Sequence, residues 1–217
     1  MSQHHYDSLI FDMDGTLWDA VDSYCAVWDE AYRRLGIDHH ICRHELLKCM
    51  GMPLEAIYSA IGTPDIISLK EYMAVLRPCE AEMMPTLGGQ VYPGVREGLE
   101  RLYKAGFKLF MVSNCSPMGL PNFMRYTGLG HLFTDYLSYG LTGQEKPANI
   151  LALIKRYTLK SSCYIGDIEA DCRDAHRAGI DMMWVSYGFG HCSEAQLTAA
   201  SFDEVTATFL PLFLQKS

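Results

Sequence analysis

The strongest constraint on this chain is an alternation of short apolar runs with segments of helical period. Ser8–Phe11, Phe107–Val112, Tyr136–Tyr139, Cys163–Ile165 and Met182–Val185 read as buried strands. Each of the last four follows a helical pattern: Val95–Lys104, Leu120–Tyr126, Ala148–Tyr157 and Ile168–Ala178. Near-continuous apolar strands are covered on both faces, and parallel pairing needs helical crossovers. The alternation therefore predicts an α/β fold with a doubly wound parallel sheet.

One stretch interrupts the pattern. From about Ala20 to about Leu87 the sequence predicts several helices and no strand. Val21–Leu35 ends at Gly36, and Arg43–Met50 and Leu54–Ile61 are separated by Gly51 and Pro53. Ile66–Met84 is a longer helical pattern with Pro78 near its middle, where a kink or break is expected. Pro85–Pro93 reads as the return crossing. The expected organisation is a core of residues 1–18 and 90–217, with a small helical cap of residues 19–89 inserted after the first strand. A chain of 217 residues is long enough for both.

Composition narrows the partners. Hydrophobic residues make up 49% and charged residues 20%, the balance of a globular chain rather than a disordered one. The formal net charge of −8 gives no general attraction to nucleic acid or anionic lipid. No apolar run is long enough to span a bilayer, and the N-terminal stretch carries no signal pattern, so the expected location is the cytoplasm. The eight cysteines form no Cys-x-x-Cys pair and no zinc spacing, and read as buried reduced thiols.

The chemistry-bearing residues sit at the ends of the predicted strands, where an open parallel sheet binds its ligands. Asp12 and Asp14 follow the first strand, with Gly15 able to turn the backbone behind them. One carboxylate can attack phosphorus while the other handles protons or helps hold a cation. Taken alone, the pair also fits an Asx-turn. Asp167 ends a later strand, and Asp171 lies one helical turn on. Magnesium takes hard oxygen ligands and keeps several waters, so Asp12 and Asp167 suit it. The alternative is that these acids only cap a helix. Ser113 and Asn114 can donate to a phosphate or merely cap a turn. Lys146, before Pro147, sits at the mouth of a helix and can reach a phosphate oxygen or the attacking carboxylate.

In order and spacing these residues resemble the haloacid dehalogenase superfamily, over essentially the whole chain. The motifs are Asp12-Met13-Asp14-Gly15-Thr16, then Ser113, then Lys146, then Gly166-Asp167 followed by Asp171. The resemblance implies a Rossmann-like core with an inserted helical cap, matching the insertion read above. It implies a phosphatase acting on a small phosphorylated metabolite. Asp12 would form an aspartyl-phosphate. Asp14 would protonate the leaving alcohol and then activate water. Ser113 and Lys146 would orient and neutralise the phosphate, beside the Asn114 amide read above as a candidate donor. Magnesium would be held by Asp12, the backbone carbonyl of Asp14 and Asp167, with Asp171 supporting the metal shell or Lys146. Gly51-Met52-Pro53, Gly166 through Gly179, Tyr187-Gly188-Phe189-Gly190 and Ser201-Phe202-Asp203-Glu204 are similar to the phosphoglycolate phosphatase-like branch.

The nearest rival is a β-phosphoglucomutase-like phosphotransferase. Those enzymes carry a His on the first cap helix, where this chain has Tyr24. A dehalogenase has no use for Asp14. A catalytically idle binding or regulatory protein on the same fold is the third reading. His39, His40 and His44 read as polar surface. Cys49–Leu54, including Gly51, Met52 and Pro53, is expected to face the site and select the leaving group. Trp18 and Asp19 read as hinge residues, with Trp18 a packing residue or a specificity residue. Val205–Leu214 is apolar enough to dock on the core or on a second copy, so a monomer or homodimer is expected.

Overall fold

A computed structural model describes residues 6–214, with side chains described as far as Leu210. Its centre is β1 (Ser8–Phe11), every residue of which is buried. β1 lies between β4 (Lys108–Ser113) and β6 (Ser162–Gly166), in a six-stranded parallel sheet. The order is β5-β4-β1-β6-β7-β8, with β5 at Phe133–Ser138, β7 at Asp181–Val185 and β8 at Leu197–Ala199. All pairs are parallel. After β1 the chain builds outward on one side and then returns to the other. The carboxyl ends of β1, β4 and β6 therefore border the crevice where such sheets bind ligands.

The pleat sends alternate side chains to opposite layers. Leu9, Phe11, Leu109 and Met111 pack on one face with α5 (Val95–Lys104), α6 (Gly119–Thr127) and α10 (Phe202–Leu214). Ile10, Phe110, Val112 and Tyr164 pack on the other with α8 (Lys146–Tyr157) and α9 (Glu169–Arg177). Val205 and Phe209 of α10 are fully buried in the core, so the described part of this helix docks on its own chain.

Four helices occupy the insertion: α1 (Val21–Leu35), α2 (Arg43–Leu47), α3 (Leu54–Ile61) and α4 (Leu69–Leu87). α1 and α4 pack together through an aromatic cluster of Trp28, Tyr32 and Tyr72. The expected break at Pro78 is absent. α4 runs continuously through Pro78 and Pro85. Burial of Tyr72, Leu76, Cys79 and Met84 on one face outweighs the hydrogen bonds those prolines cannot make. The helix begins at Leu69 rather than Ile66 because Ser68 and Glu71 cap each other's backbone N–H groups.

Other boundaries also moved. The strand expected at Tyr136–Tyr139 is Phe133–Ser138. It stops there because the Ser138 hydroxyl accepts the N–H of Leu141 and starts the short helix α7 (Tyr139–Thr142). β8 was not expected, since three residues with a polar centre make no apolar run. The two crossings between core and insertion pair as antiparallel strands, β2 (Trp18–Asp19) and β3 (Gln90–Val91). Among the described residues, no helix is long and apolar enough to cross a membrane. The cysteines are free thiols, all buried except the half-buried Cys42 and Cys115.

Candidate active site

β1 delivers Asp12 to the crevice, and the turn after it is tied down locally. The N–H of Leu17 donates to the Met13 carbonyl and that of Gly15 to the Trp18 carbonyl. Gly15 has φ +78, and a Cβ there would meet Asp167 Oδ2 at 2.1 Å. Glycine is required both for the turn and for the approach of Asp167.

Asp12, Asp167 and Asp171 offer carboxylate oxygens that all lie within 4.8 Å of one another, and all three residues are buried. Lys146, from the first turn of α8, is the cation among them. Its Nζ donates to Asp12 Oδ2 at 3.1 Å and to Asp171 Oδ1. Asp171 Oδ2 accepts the backbone N–H groups of Asp167 and Ile168 at 3.1 and 3.3 Å. Asp171 is thereby occupied in orienting Lys146 and the loop. Asp12 Oδ1, in contrast, is buried with no hydrogen-bond partner.

The charges do not balance within this cluster. Burial, together with the Asp171 carboxylate, raises the Asp12 pKa to about 6, against the pull of Lys146 and the Met13 N–H. Burial and the neighbouring Asp171 and Asp12 push Asp167 well above the carboxylate range. Burial alone would lower the Lys146 pKa, but Asp12 and Asp171 outweigh it and hold it well above normal. Three buried carboxylates around one ammonium form a hard-oxygen site suited to a divalent cation such as magnesium.

Asp14 sits apart from that cluster and faces the insertion. Its Oδ1 accepts the Trp18 indole N–H at 3.0 Å and the Tyr24 hydroxyl at 3.1 Å. Burial, then the Asp12 charge, raises its pKa to about 7, and the two donors pull the other way. A carboxyl poised near neutrality can give and take a proton.

Asp12 and Asp14 open onto a cavity between core and cap, and Ser113, Asn114, Gly51 and Met52 also line it. Asn114 is turned toward the cap, its Nδ2 donating to the Gly51 carbonyl at 2.8 Å. Of the expected specificity residues, Trp18 and Pro53 are not among the cavity's lining residues. Trp18 is fully buried behind Asp14, edge-on to Phe123, because its strand pairs with Val91. Pro53 instead precedes α3 as its N-terminal flank.

The sequence singled out Tyr187–Gly190 without assigning a role. The Tyr187 hydroxyl donates to the Thr16 carbonyl at 2.8 Å, and the Phe189 N–H to Asp167 Oδ2 at 2.7 Å. The segment clamps Asp167 against the first motif. Sequence reasoning passed over Glu80, Cys115 and Ser116 on the cavity wall, and gave Tyr24 no part in holding Asp14. Only the inward side of α1 signals Tyr24. Glu80 lies in a helix whose acidic residues otherwise read as solvated.

A family model described as haloacid dehalogenase-like hydrolase matches residues 9–185. A phosphoglycolate phosphatase of Vibrio parahaemolyticus is 25% identical over 202 residues, covering 88% of each chain. The phosphoglycolate phosphatase of Vibrio vulnificus is 26% identical over 203 residues, again covering 88% of each. Among solved structures, a haloacid dehalogenase-like hydrolase of Streptococcus pneumoniae superposes with a TM-score of 0.80 at 20% identity. That match covers 96% of this chain and 100% of the other, and supports the fold. The four acids, the lysine and the sheet that gathers them thus have a known setting: the chain belongs to the haloacid dehalogenase-like hydrolases.

Proposed function

We propose that the protein hydrolyses a small phosphate monoester through an aspartyl-phosphate on Asp12, with magnesium as cofactor. One observation carries the reading: Asp12 Oδ1 is bare while Oδ2 is held by Lys146. A carboxylate fixed through one oxygen keeps lone pairs on the other for attack. Asp12 and Asp167, with the Asp14 carbonyl, are the residues that would hold magnesium, which neutralises charge on the transferred phosphoryl group.

In the first half-reaction an Asp12 oxygen bonds to phosphorus as the phosphorus–ester oxygen bond breaks. Asp14 gives its proton to the departing alkoxide. In the second, Asp14 takes a proton from water, the water oxygen bonds to phosphorus, and the Asp12–phosphorus bond breaks. A pKa of about 7 suits Asp14 to both transfers. Lys146 and Ser113 orient and neutralise the phosphate. The names of the Vibrio relatives support a phosphate monoester as substrate.

The test is phosphate release from a panel of small esters, with magnesium and then with excess chelator. Release that needs metal and is abolished by Asp12→Asn is the expected result. Release unaffected by Asp12→Asn would exclude the covalent route. Transfer to an added sugar phosphate in place of release would point to a mutase. No reaction of either kind would point to a binding protein.

A further inference from the structure

The cavity over Asp12 has two unlike walls. The core side presents Asp14, Ser113, Asn114 and Ser116. The cap side is mostly apolar, built from residues such as Val27, Trp28, Met50, Leu54, Ile57 and Leu76. The cap contributes one charged side chain, Glu80 of α4. Among the described lining residues there is no lysine, arginine or histidine.

Three basic residues of the core and cap are engaged elsewhere, and Arg77, whose charge is felt at Glu80, is not among the residues lining the cavity. Lys146 is held between Asp12 and Asp171, and Arg43 pairs with Asp19 and Asp22. Arg34 pairs with Glu30 and Glu82. Glu80 itself accepts the Ser116 hydroxyl across the core–cap boundary, which fixes the carboxyl at the wall. Burial raises its pKa, while Ser116 and Arg77 oppose the rise.

A substrate must put its phosphate at Asp12 and its leaving group against this cap wall. An apolar body gains from contact there. A carboxylate on that body would lose water, meet no cation and face Glu80. Unpaired buried charge is strongly disfavoured, and like charges at close range add to the cost. A hydroxyl or ammonium would instead donate to Glu80.

Resting on the phosphatase reading above, we propose that Glu80 selects the substrate. The favoured ester has an apolar leaving group bearing a hydrogen-bond donor, and a carboxylate in that place is rejected. Phosphoglycolate, which carries a carboxylate on its leaving group, is then a poor substrate, unlike the activity named for the Vibrio relatives.

The experiment uses the full chain with magnesium and a matched set of phenyl phosphates. The para substituent is hydroxymethyl, aminomethyl or carboxymethyl, so a methylene insulates the phenol in each case. Phosphoglycolate and unsubstituted phenyl phosphate complete the set. The expected result is a kcat/KM at least about tenfold higher for the better donor-bearing ester than for the carboxymethyl ester, the scale of one hydrogen bond to a charged group. Comparing hydroxymethyl with aminomethyl tells which donor Glu80 prefers. Glu80→Gln should narrow the ratio and Glu80→Lys should invert it. A carboxymethyl ester or phosphoglycolate turned over as fast as the donor-bearing esters by the unmodified protein would overturn the proposal.

Turnover of unsubstituted phenyl phosphate separately reports the phosphatase reading. If that fails, calorimetric binding of the same esters still decides the preference: tighter donor-bearing ligands support it, and an equal or tighter carboxymethyl ligand overturns it.

Discussion

The indole N–H of Trp18 donates to Asp14 Oδ1 at 3.0 Å, four residues along the chain. The Tyr24 hydroxyl reaches the same oxygen at 3.1 Å from the first cap helix. The core loop and the cap thus both hold the carboxyl proposed to move protons.

Tyr24→Phe removes one of these donors. Donors stabilise the ionised carboxylate, so losing one raises the Asp14 pKa further above about 7. The alkaline fall of kcat/KM should move to higher pH, and kcat should drop about fivefold, the scale of one hydrogen bond. A pH–rate profile checks this. An alkaline limb unmoved or shifted down would separate Tyr24 from the proton transfers.

Asp14→Asn keeps the shape of the side chain and loses its proton. The phosphoenzyme should form slowly and then persist, because no group activates the water of the second half-reaction. Intact mass after an acid quench detects it. Rapid turnover without trapped intermediate would remove Asp14 from its role.

Lys146→Met leaves Asp12 and Asp171 buried without their cation. Breaking a buried pair from one side costs about 3–5 kcal/mol, and activity should be lost with it. Chemical denaturation of the unmodified and variant proteins measures the difference. A variant as stable as the unmodified protein would mean that water or another cation neutralises these acids.

Stability should depend on pH and metal together. Asp12 and Asp14 have native pKa values of about 6 and about 7, raised from 3.8 by burial and by neighbouring carboxylates. Native groups so raised keep protons that the unfolded chain has released. Their contribution is fully present below about 3.8 and is lost as pH rises through about 6 and 7. In chelator, Tm should fall across that window. A bound cation offsets the buried negative charge, so magnesium should raise Tm more near about pH 8 than near about pH 5. An equal rise at both would detach the metal from these carboxylates.

Asn114→Ala cuts the hydrogen bond from the core to the Gly51 carbonyl. The loss is about 1 kcal/mol, too small to unfold the protein but enough to loosen the cap. Hydrogen exchange should quicken in residues 49–54 while exchange in β1 stays slow. The Ile168 side chain also lies against Gly51, where a Cβ would meet its Cδ1 at 2.3 Å, and unchanged exchange at 49–54 would show that this approach suffices to hold the cap loop.

Much of this architecture follows from local pattern. The apolar runs at β1, β4, β6 and β7 and the helices between them are set by near-neighbour periodicity, which a sequence displays directly. The acids and the lysine stand at strand and helix ends for the same reason, so Asp12, Asp14, Lys146 and Asp167 could be named before any coordinates. Local pattern misjudged α4, where Pro78 reads as a break yet burial of Tyr72, Leu76, Cys79 and Met84 keeps the helix whole. It also missed β8 and the β2–β3 pairing, which depend on a neighbouring strand rather than on their own residues. Which partners meet was decided by docking the insertion on the core. Tyr24 on Asp14, Asn114 on Gly51 and Ser116 on Glu80 join residues from separate elements. Such contacts arise when two surfaces bury against each other, and no periodicity along one chain encodes the side chain that will face it from another.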